Sequence, residues 1–252
     1  MALEALIFDV DGTIAETEEL HRPAFNEAFK SLGLTWNWDL PLYKDLLRIT
    51  GGKERLLHYV KHWRPEDLTA AEREIPRIHE LKTRNYVASL RANGIALRPG
   101  VARLMQEARD AGVKLAIATT TDPANLTPLL RSVFAPAGEA MFSAIVSGDE
   151  VAAKKPAPDV FQLALTRLGL PASSCIAFED SANGVTSARR AGLAVVATPS
   201  AFTPDDDLSL GVSVVSDMGE PGRPHRHVAG WMWPGGVVTL ESLRVLLAKV
   251  HG

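Results

Sequence analysis

Hydrophobic and polar positions change texture twice along this chain. Residues 3–8, Leu-Glu-Ala-Leu-Ile-Phe, form a short apolar run that Asp-Val-Asp-Gly stops, which predicts a buried strand ended by a turn. From residue 18 the spacing becomes helical: Leu20, Ala24, Ala28 and Leu32 share a face, with Phe25 and Phe29 beside them, and Gly33 supplies a stop. Residues 43–63 and 72–90 continue that period, so three or four helices run here with no strand between them. After Pro99-Gly100 the pattern alternates. Helices are predicted over 101–111, 123–134, 158–168 and 183–191, and apolar runs at 114–119, 142–146, 175–178 and 194–197 lie between them. Strands alternating with helices of this length predict a parallel sheet covered on both faces. The expected fold class is therefore α/β, a doubly wound parallel sheet with an inserted helical unit. Its boundaries are residues 1–15 and 92–252 for the α/β part and 16–91 for the insertion.

The tail is harder to read. Asp205-Asp206-Asp207 predicts a solvated loop or helix start, residues 220–236 match no periodic template, and 239–250 form an amphipathic helix with Thr239 as N-cap. His225 and His227 are expected in a solvated loop.

Composition narrows the class. The 252 residues include 46% hydrophobic ones, too many for a disordered chain. Lys and Arg number 27 against 30 Asp and Glu, a net charge of −3, so the chain lacks the basic excess that non-specific nucleic-acid binding needs. Cys175 is the single cysteine, which excludes an intramolecular disulfide and a Cys-based zinc cluster; its apolar strand predicts a buried, inert thiol. No apolar run approaches the roughly 20 residues of a membrane helix. The N-terminus has no basic region and runs into Asp9 and Asp11, unlike a signal peptide. The expectation is a cytoplasmic enzyme, or an organellar one for a processed chain, with no membrane, nucleic-acid or obligatory protein partner.

Ligands of open α/β sheets bind outside the carboxyl ends of the strands. Those ends carry Asp9, Asp11, Gly12 and Thr13; then Thr119, Thr120 and Thr121; then Asp149, Lys154 and Lys155; then Glu179, Asp180 and Ser181. Carboxylates gathered this way repel unless a cation or proton neutralises them. Oxygen ligands with few protein groups suit Mg²⁺, and the Thr and Lys donors beside them suit a phosphate. The chemistry indicated is phosphoryl transfer with a carboxylate nucleophile. Lys154 is expected as an ordinary surface lysine.

In that order, Asp9-Val10-Asp11-Gly12-Thr13, Thr119, Lys155-Pro156 and Glu179-Asp180 resemble the four signature motifs of the haloacid dehalogenase superfamily of phosphotransferases. The resemblance covers residues 3 to about 200, and the helical insertion resembles that family's small cap. It implies that Asp9 attacks phosphorus and becomes an aspartyl-phosphate, and that Asp11 protonates the leaving oxygen and later activates water. It also implies Mg²⁺ on Asp9, the backbone carbonyl of Asp11, Asp180 and Glu179, with Thr119, Thr120 and Lys155 on the phosphoryl group.

Finer detail is similar to the CbbY-type enzymes: residues 8–21, Thr50-Gly-Gly-Lys-Glu-Arg55, Lys82, Thr119-Thr-Thr and Lys154-Lys-Pro-Ala-Pro-Asp159. Those are phosphatases that convert xylulose-1,5-bisphosphate, an inhibitory by-product of rubisco, to xylulose-5-phosphate. By that resemblance Glu16 and His21 border the sugar hydroxyls, and Gly51, Lys53, Arg55 and Lys82 form a seat for a second phosphate. β-Phosphoglucomutases are similar more loosely. Where they carry a lysine for the non-reacting phosphate, this chain has Asp122, followed by Pro123. The segment after about residue 202 is expected to depart from the family.

Overall fold

Side chains alternate across β1 (Ala5–Phe8): Leu6 and Phe8 enter one apolar cluster, Ala5 and Ile7 another on the opposite face. A strand buried on both faces reads as a continuous apolar run, which is why this one was visible in the sequence. The computed structural model describes residues 2–251, apart from the side chains of Ala70 and Ala71. Among the described residues the other strands are β2 (Lys114–Ala118), β3 (Ala144–Val146), β4 (Cys175–Glu179), β5 (Ala194–Ala197), β6 (Ser213–Val215) and β7 (His227–Gly230). They form one sheet in the order β3-β2-β1-β4-β5-β6-β7. All neighbours are parallel except β6 and β7. The chain winds outward from β1 through β2 to β3, then returns to the other side of β1 with β4. The switch point thus lies between β1 and β4, where Phe8 stacks on Phe178 with ring centroids 4.6 Å apart.

Helices α1 (Glu18–Ser31), α2 (Leu40–Leu46), α3 (Gly52–Trp63) and α4 (Leu68–Asn93) form the insertion between β1 and β2. α5 (Val101–Asp110), α6 (Pro123–Val133) and α9 (Leu240–His251) cover one sheet face. α7 (Asp159–Leu168) and α8 (Ala182–Arg190) cover the other. The insertion has its own core. Trp38 is fully buried among Phe25, Phe29, Tyr43 and Tyr59, with centroid distances of 4.6, 5.1, 5.9 and 5.5 Å. Tyr43 is a packing residue there, its hydroxyl bonded to Glu18 at 2.6 Å.

Two expectations need correction. The helical stretch expected over 43–63 is broken by a turn at residues 47–51, where Gly51 adopts φ 97° and caps the start of α3 at Gly52. In the tail, where residues 220–236 matched no template, β6 and β7 extend the sheet, and Trp233, 5% exposed, packs into the main core with its indole N–H donating to Ser213 Oγ at 2.8 Å. The solvated loop expected for His225 and His227 is also corrected: His225 is buried, and His227 begins β7. Cys175 is buried as expected, and burial pushes its thiol up to about 11. No helix among the described residues is long and apolar enough to cross a membrane.

The two connections to the insertion run side by side. Ala15 and Leu97 form an antiparallel bridge, and the Arg98 N–H donates to Ile14 O at 2.8 Å. The Arg98 guanidinium then reaches Gly12 O, Thr198 O (2.7 Å), Pro199 O (2.8 Å) and Ser216 O (2.9 Å). One side chain thereby ties the loop after β1 to those after β5 and β6.

Candidate active site

At the switch point, Asp9 follows β1 and Asp180 follows β4, and a cavity of about 700 Å³ opens between the sheet edge and the inserted helices. Lys155 Nζ lies 2.6 Å from Asp9 Oδ1, 2.6 Å from Glu179 Oε1 and 2.8 Å from Ala118 O. It is 5% exposed; burial opposes its charge, but the two carboxylates outweigh that and hold it above the ordinary lysine value. Glu179 is fully buried beneath α8, whose Gly184 packs so close that a Cβ there would fall 1.9 Å from Glu179 Oε2. Asp180 is held by Thr203, whose hydroxyl donates to its carbonyl at 2.9 Å and its carboxylate at 3.1 Å.

Asp11 faces a different set of partners. The hydroxyls of Thr17 and Thr121 donate to its two oxygens, and His21 Nε2 stands 3.4 Å away. Burial opposes its charge, but the His21 contact and the two hydroxyls outweigh it and hold the carboxyl well below the usual range. Asp9 is raised instead: burial dominates, Lys155 opposes it, and Asp11 adds repulsion. Two aspartates two residues apart thus sit in opposite electrostatic settings.

Oxygens of Asp9, Glu179 and Asp180 lie within 4.8 Å of one another. Burial, then the neighbouring carboxylates, push Asp180 well above the usual range; burial also raises Glu179, to about 8, against the opposing pull of Lys155. Three buried carboxylates against one lysine leave an excess of negative charge. A hard divalent cation removes that penalty, so the donor set fits Mg²⁺. The Asp11 carboxylate is not in this group; its hydrogen bonds turn it toward His21.

The helical wall supplies the opposite charge. Gly51, Lys53, Arg55, Lys82 and His21 all line the cavity, as does Thr120. Lys82 is 4% exposed; it donates to Asn125 Oδ1 at 3.5 Å, and its ammonium lies 5.2 and 5.3 Å from the ring centroids of Phe25 and Tyr86. Burial pushes it down to about 8. Arg55 is partly committed elsewhere, donating to Leu46 O at 3.2 Å and Tyr43 Oη at 3.3 Å. Further contacts join this wall to the sheet edge, among them Lys154 to Glu54 at 2.7 Å, Asn183 to Arg48 O at 3.0 Å, and Asn183 to Thr50 Oγ1 at 3.1 Å. Lys154 is therefore a bridging residue on the cavity wall rather than a free surface lysine.

Other residues stand where the sequence did not put them. Glu16 does not border the cavity; its carboxylate pairs with Arg98 Nε at 3.1 Å. Thr119 lies just behind the wall, 1% exposed, its hydroxyl accepting the Thr121 N–H at 3.2 Å. Thr120 and Thr121 face the cavity in its place, and Glu18 and His79 line it without having been singled out. Helical period was the available signal for both: Glu18 precedes His21 by three residues, and His79 precedes Lys82 by three.

Known proteins bear on this site directly. The family model for haloacid dehalogenase-like hydrolases matches residues 3–192, and the chain belongs to that family. It is a phosphatase, and Asp9, Asp11 and Lys155 lie together in one cleft. Within the family it is similar to CbbY proteins. It is 46% identical to "Protein CbbY, plasmid" of Cupriavidus necator over 253 residues, 99% of this chain and 98% of that one. It is 52% identical to Protein CbbY of Rhodobacter capsulatus over 210 residues, 83% of this chain and 91% of that one. A crystal structure of CbbY from Rhodobacter sphaeroides, an Asp-to-Asn mutant in complex with xylulose-1,5-bisphosphate, superposes with a TM-score of 0.80 at 42% identity. It covers 85% of this chain and 94% of that one. The expected departure after residue 202 is corrected in part, since the Cupriavidus alignment continues through the tail.

Proposed function

We propose that this chain is a Mg²⁺-dependent sugar-bisphosphate phosphatase acting through an aspartyl-phosphate on Asp9, with xylulose-1,5-bisphosphate as its substrate and the cytoplasm as its setting. The observation that carries the reading is Lys82, a lysine almost wholly buried in the cavity wall with one long hydrogen bond. Buried charges are ordinarily paired, and here the missing partner is an anion on the ligand. A sugar phosphate with one phosphate fills the Asp9 end; a second phosphate accounts for Lys82 and Lys53 on the opposite, helical wall. The bisphosphate bound to the Rhodobacter sphaeroides protein supports the same choice.

In this scheme an Asp9 oxygen attacks phosphorus while the bond to the sugar oxygen breaks. Asp11 gives its proton to that oxygen. Water then attacks the aspartyl-phosphate, Asp11 takes its proton, and inorganic phosphate leaves. The partners of Asp11 favour its anion, the form the second step needs; an arriving phosphate dianion raises its proton affinity for the first. Lys155 orients Asp9 and shields the approach of one anion to another. Mg²⁺, held by Asp9, Asp180 and Glu179, would supply further charge neutralisation at the phosphoryl oxygens. The helices of residues 16–91 act as a cap that excludes bulk water.

The test is a phosphate-release screen over sugar mono- and bisphosphates, with Mg²⁺ and with a chelator. Pentulose bisphosphates should lead, and chelation should stop release. Isomerised sugar without free phosphate would instead indicate a mutase. The side chain of Asp122 speaks against that outcome: it accepts the Ala124 N–H at 2.7 Å, capping α6, and offers no cation to a phosphate.

A further inference from the structure

Phe202 lies in the loop after β5, yet its side chain packs with the core of the inserted helices. Among the described residues it is the one member of the cluster around Trp38 that comes from outside residues 16–91. Its ring meets Tyr43 edge-on, with centroids 6.1 Å apart and planes at 88°, and Lys44 Nζ lies 5.8 Å from its centroid. The rest of that loop serves the sheet side. Thr203, the next residue, donates to the carbonyl and the carboxylate of Asp180. The turn between them is tight: Thr203 Oγ1 accepts the Ser200 N–H at 2.9 Å, and Ser200 Oγ accepts the Phe202 N–H at 3.2 Å. Further on, the Asp206 carboxylate accepts the Ala182 N–H at 2.7 Å, so the loop wraps the chain that follows Asp180. Gly12 closes the other side, where an added Cβ would overlap Asp180 Oδ2. Two consecutive residues thus point in opposite ways, Phe202 into the helices and Thr203 onto a carboxylate of the cation site.

We infer that Phe202 is a positioning residue: its docking on Tyr43 sets the turn from which Thr203 aims Asp180, so that packing of the inserted helices against the sheet edge strengthens cation binding by Asp9, Glu179 and Asp180. This rests on the Mg²⁺ reading of those carboxylates and deepens it. A half-buried phenyl ring gives the contact its strength, since withdrawal from Tyr43 returns apolar surface to water and ends an edge-to-face pair. The short turn passes that preference on, because Ser200 and Thr203 hold each other and leave the Phe202 backbone little room to move alone. Linkage makes the effect reciprocal: a cation that binds better when Phe202 is docked favours the docked arrangement by the same factor. Phe202 acts through Thr203 and offers the cation no ligand of its own.

The experiment titrates Mn²⁺, a hard divalent ion that takes the same oxygen ligands, into the whole chain without substrate, and follows free Mn²⁺ by electron paramagnetic resonance. Phe202→Ala should raise the Mn²⁺ Kd about five- to tenfold. Phe202→Tyr keeps the ring and should bind as the parent does, which separates loss of the contact from a general loosening of the loop. Should Phe202→Ala fail to fold, Phe202→Leu carries the same comparison with a smaller shift. Thr203→Val removes the hydroxyl that holds Asp180 and should also weaken Mn²⁺. In that background Phe202→Ala should add less than about twofold, because the link is already cut. Parent-like affinity in Phe202→Ala, or an equal effect of Phe202→Ala with and without the Thr203 hydroxyl, overturns the inference alone. A parent protein that binds no Mn²⁺ overturns the inference together with the Mg²⁺ reading.

Discussion

The two walls of the cavity are built on different principles. On the sheet side, Asp9 and Asp180 sit just beyond the ends of the paired strands β1 and β4, and Lys155, from the loop after β3, ties Asp9 to Glu179 with short ion pairs. On the helical side, Lys53, His79 and Lys82 project from α3 and α4, whose placement depends on the aromatic cluster around Trp38. The first wall is anionic and internally paired. The second is cationic and short of partners. Chemistry belongs to a frame fixed by its own ion pairs and one divalent cation short of charge balance; recognition belongs to cations that await the ligand.

That contrast can be broken, starting from the sheet side. Asp9→Asn should reduce phosphate release about 10⁴-fold or more, measured by kcat on a sugar bisphosphate, since an amide is a poor nucleophile. Asp11→Asn should cost about 10²- to 10⁴-fold in kcat. The loss should shrink with an aryl phosphate, whose leaving oxygen needs no proton; equal losses on both substrates would remove Asp11 from that role. On the helical side the signature is a trade. Lys82→Met should raise KM for the bisphosphate tenfold or more while raising stability by about 1–3 kcal/mol at pH 7. The sign follows from burial: the unfolded lysine holds its proton to about pH 10.5, the folded one only to about 8. Unfolding free energy of the parent protein should therefore climb between pH 8 and 10.5, and the Lys82→Met protein should lose that climb. Glu54→Gln should have the smallest effect. The half-exposed pair with Lys154 is worth about 1 kcal/mol or less, so its melting temperature should shift by a few degrees at most.

Legibility in the sequence follows the same division. β1 to β5 read clearly because buried parallel strands are continuous apolar runs. Asp9 and Asp180 read clearly because each sits next to such a run, whereas Lys155, nine residues past β3, was read from its place before Pro156. β6 and β7 were hidden: one is three residues long, and the other, His-Val-Ala-Gly, is mostly exposed. Glu16 was misplaced because its partner, Arg98, lies across the whole insertion in sequence, and nothing local announces that pair. Thr119 and Thr121 were hard to rank because the strand end decides which hydroxyl turns outward, and a run of three threonines does not reveal where that end falls. His79 was missed because a histidine on an amphipathic helix reads as solvated surface, and only its packing on Gly52 shows otherwise.

The bridge between Ala15 and Leu97 has a wider meaning. The chain departs from the sheet and comes back to it at one point, so the sheet experiences the four intervening helices as it would the tip of a hairpin. A module attached in that way is free to be rebuilt, lengthened or traded for another without altering strand order or the reacting aspartates. New substrates become reachable by redrawing the lid of the vessel while its floor stays as it was.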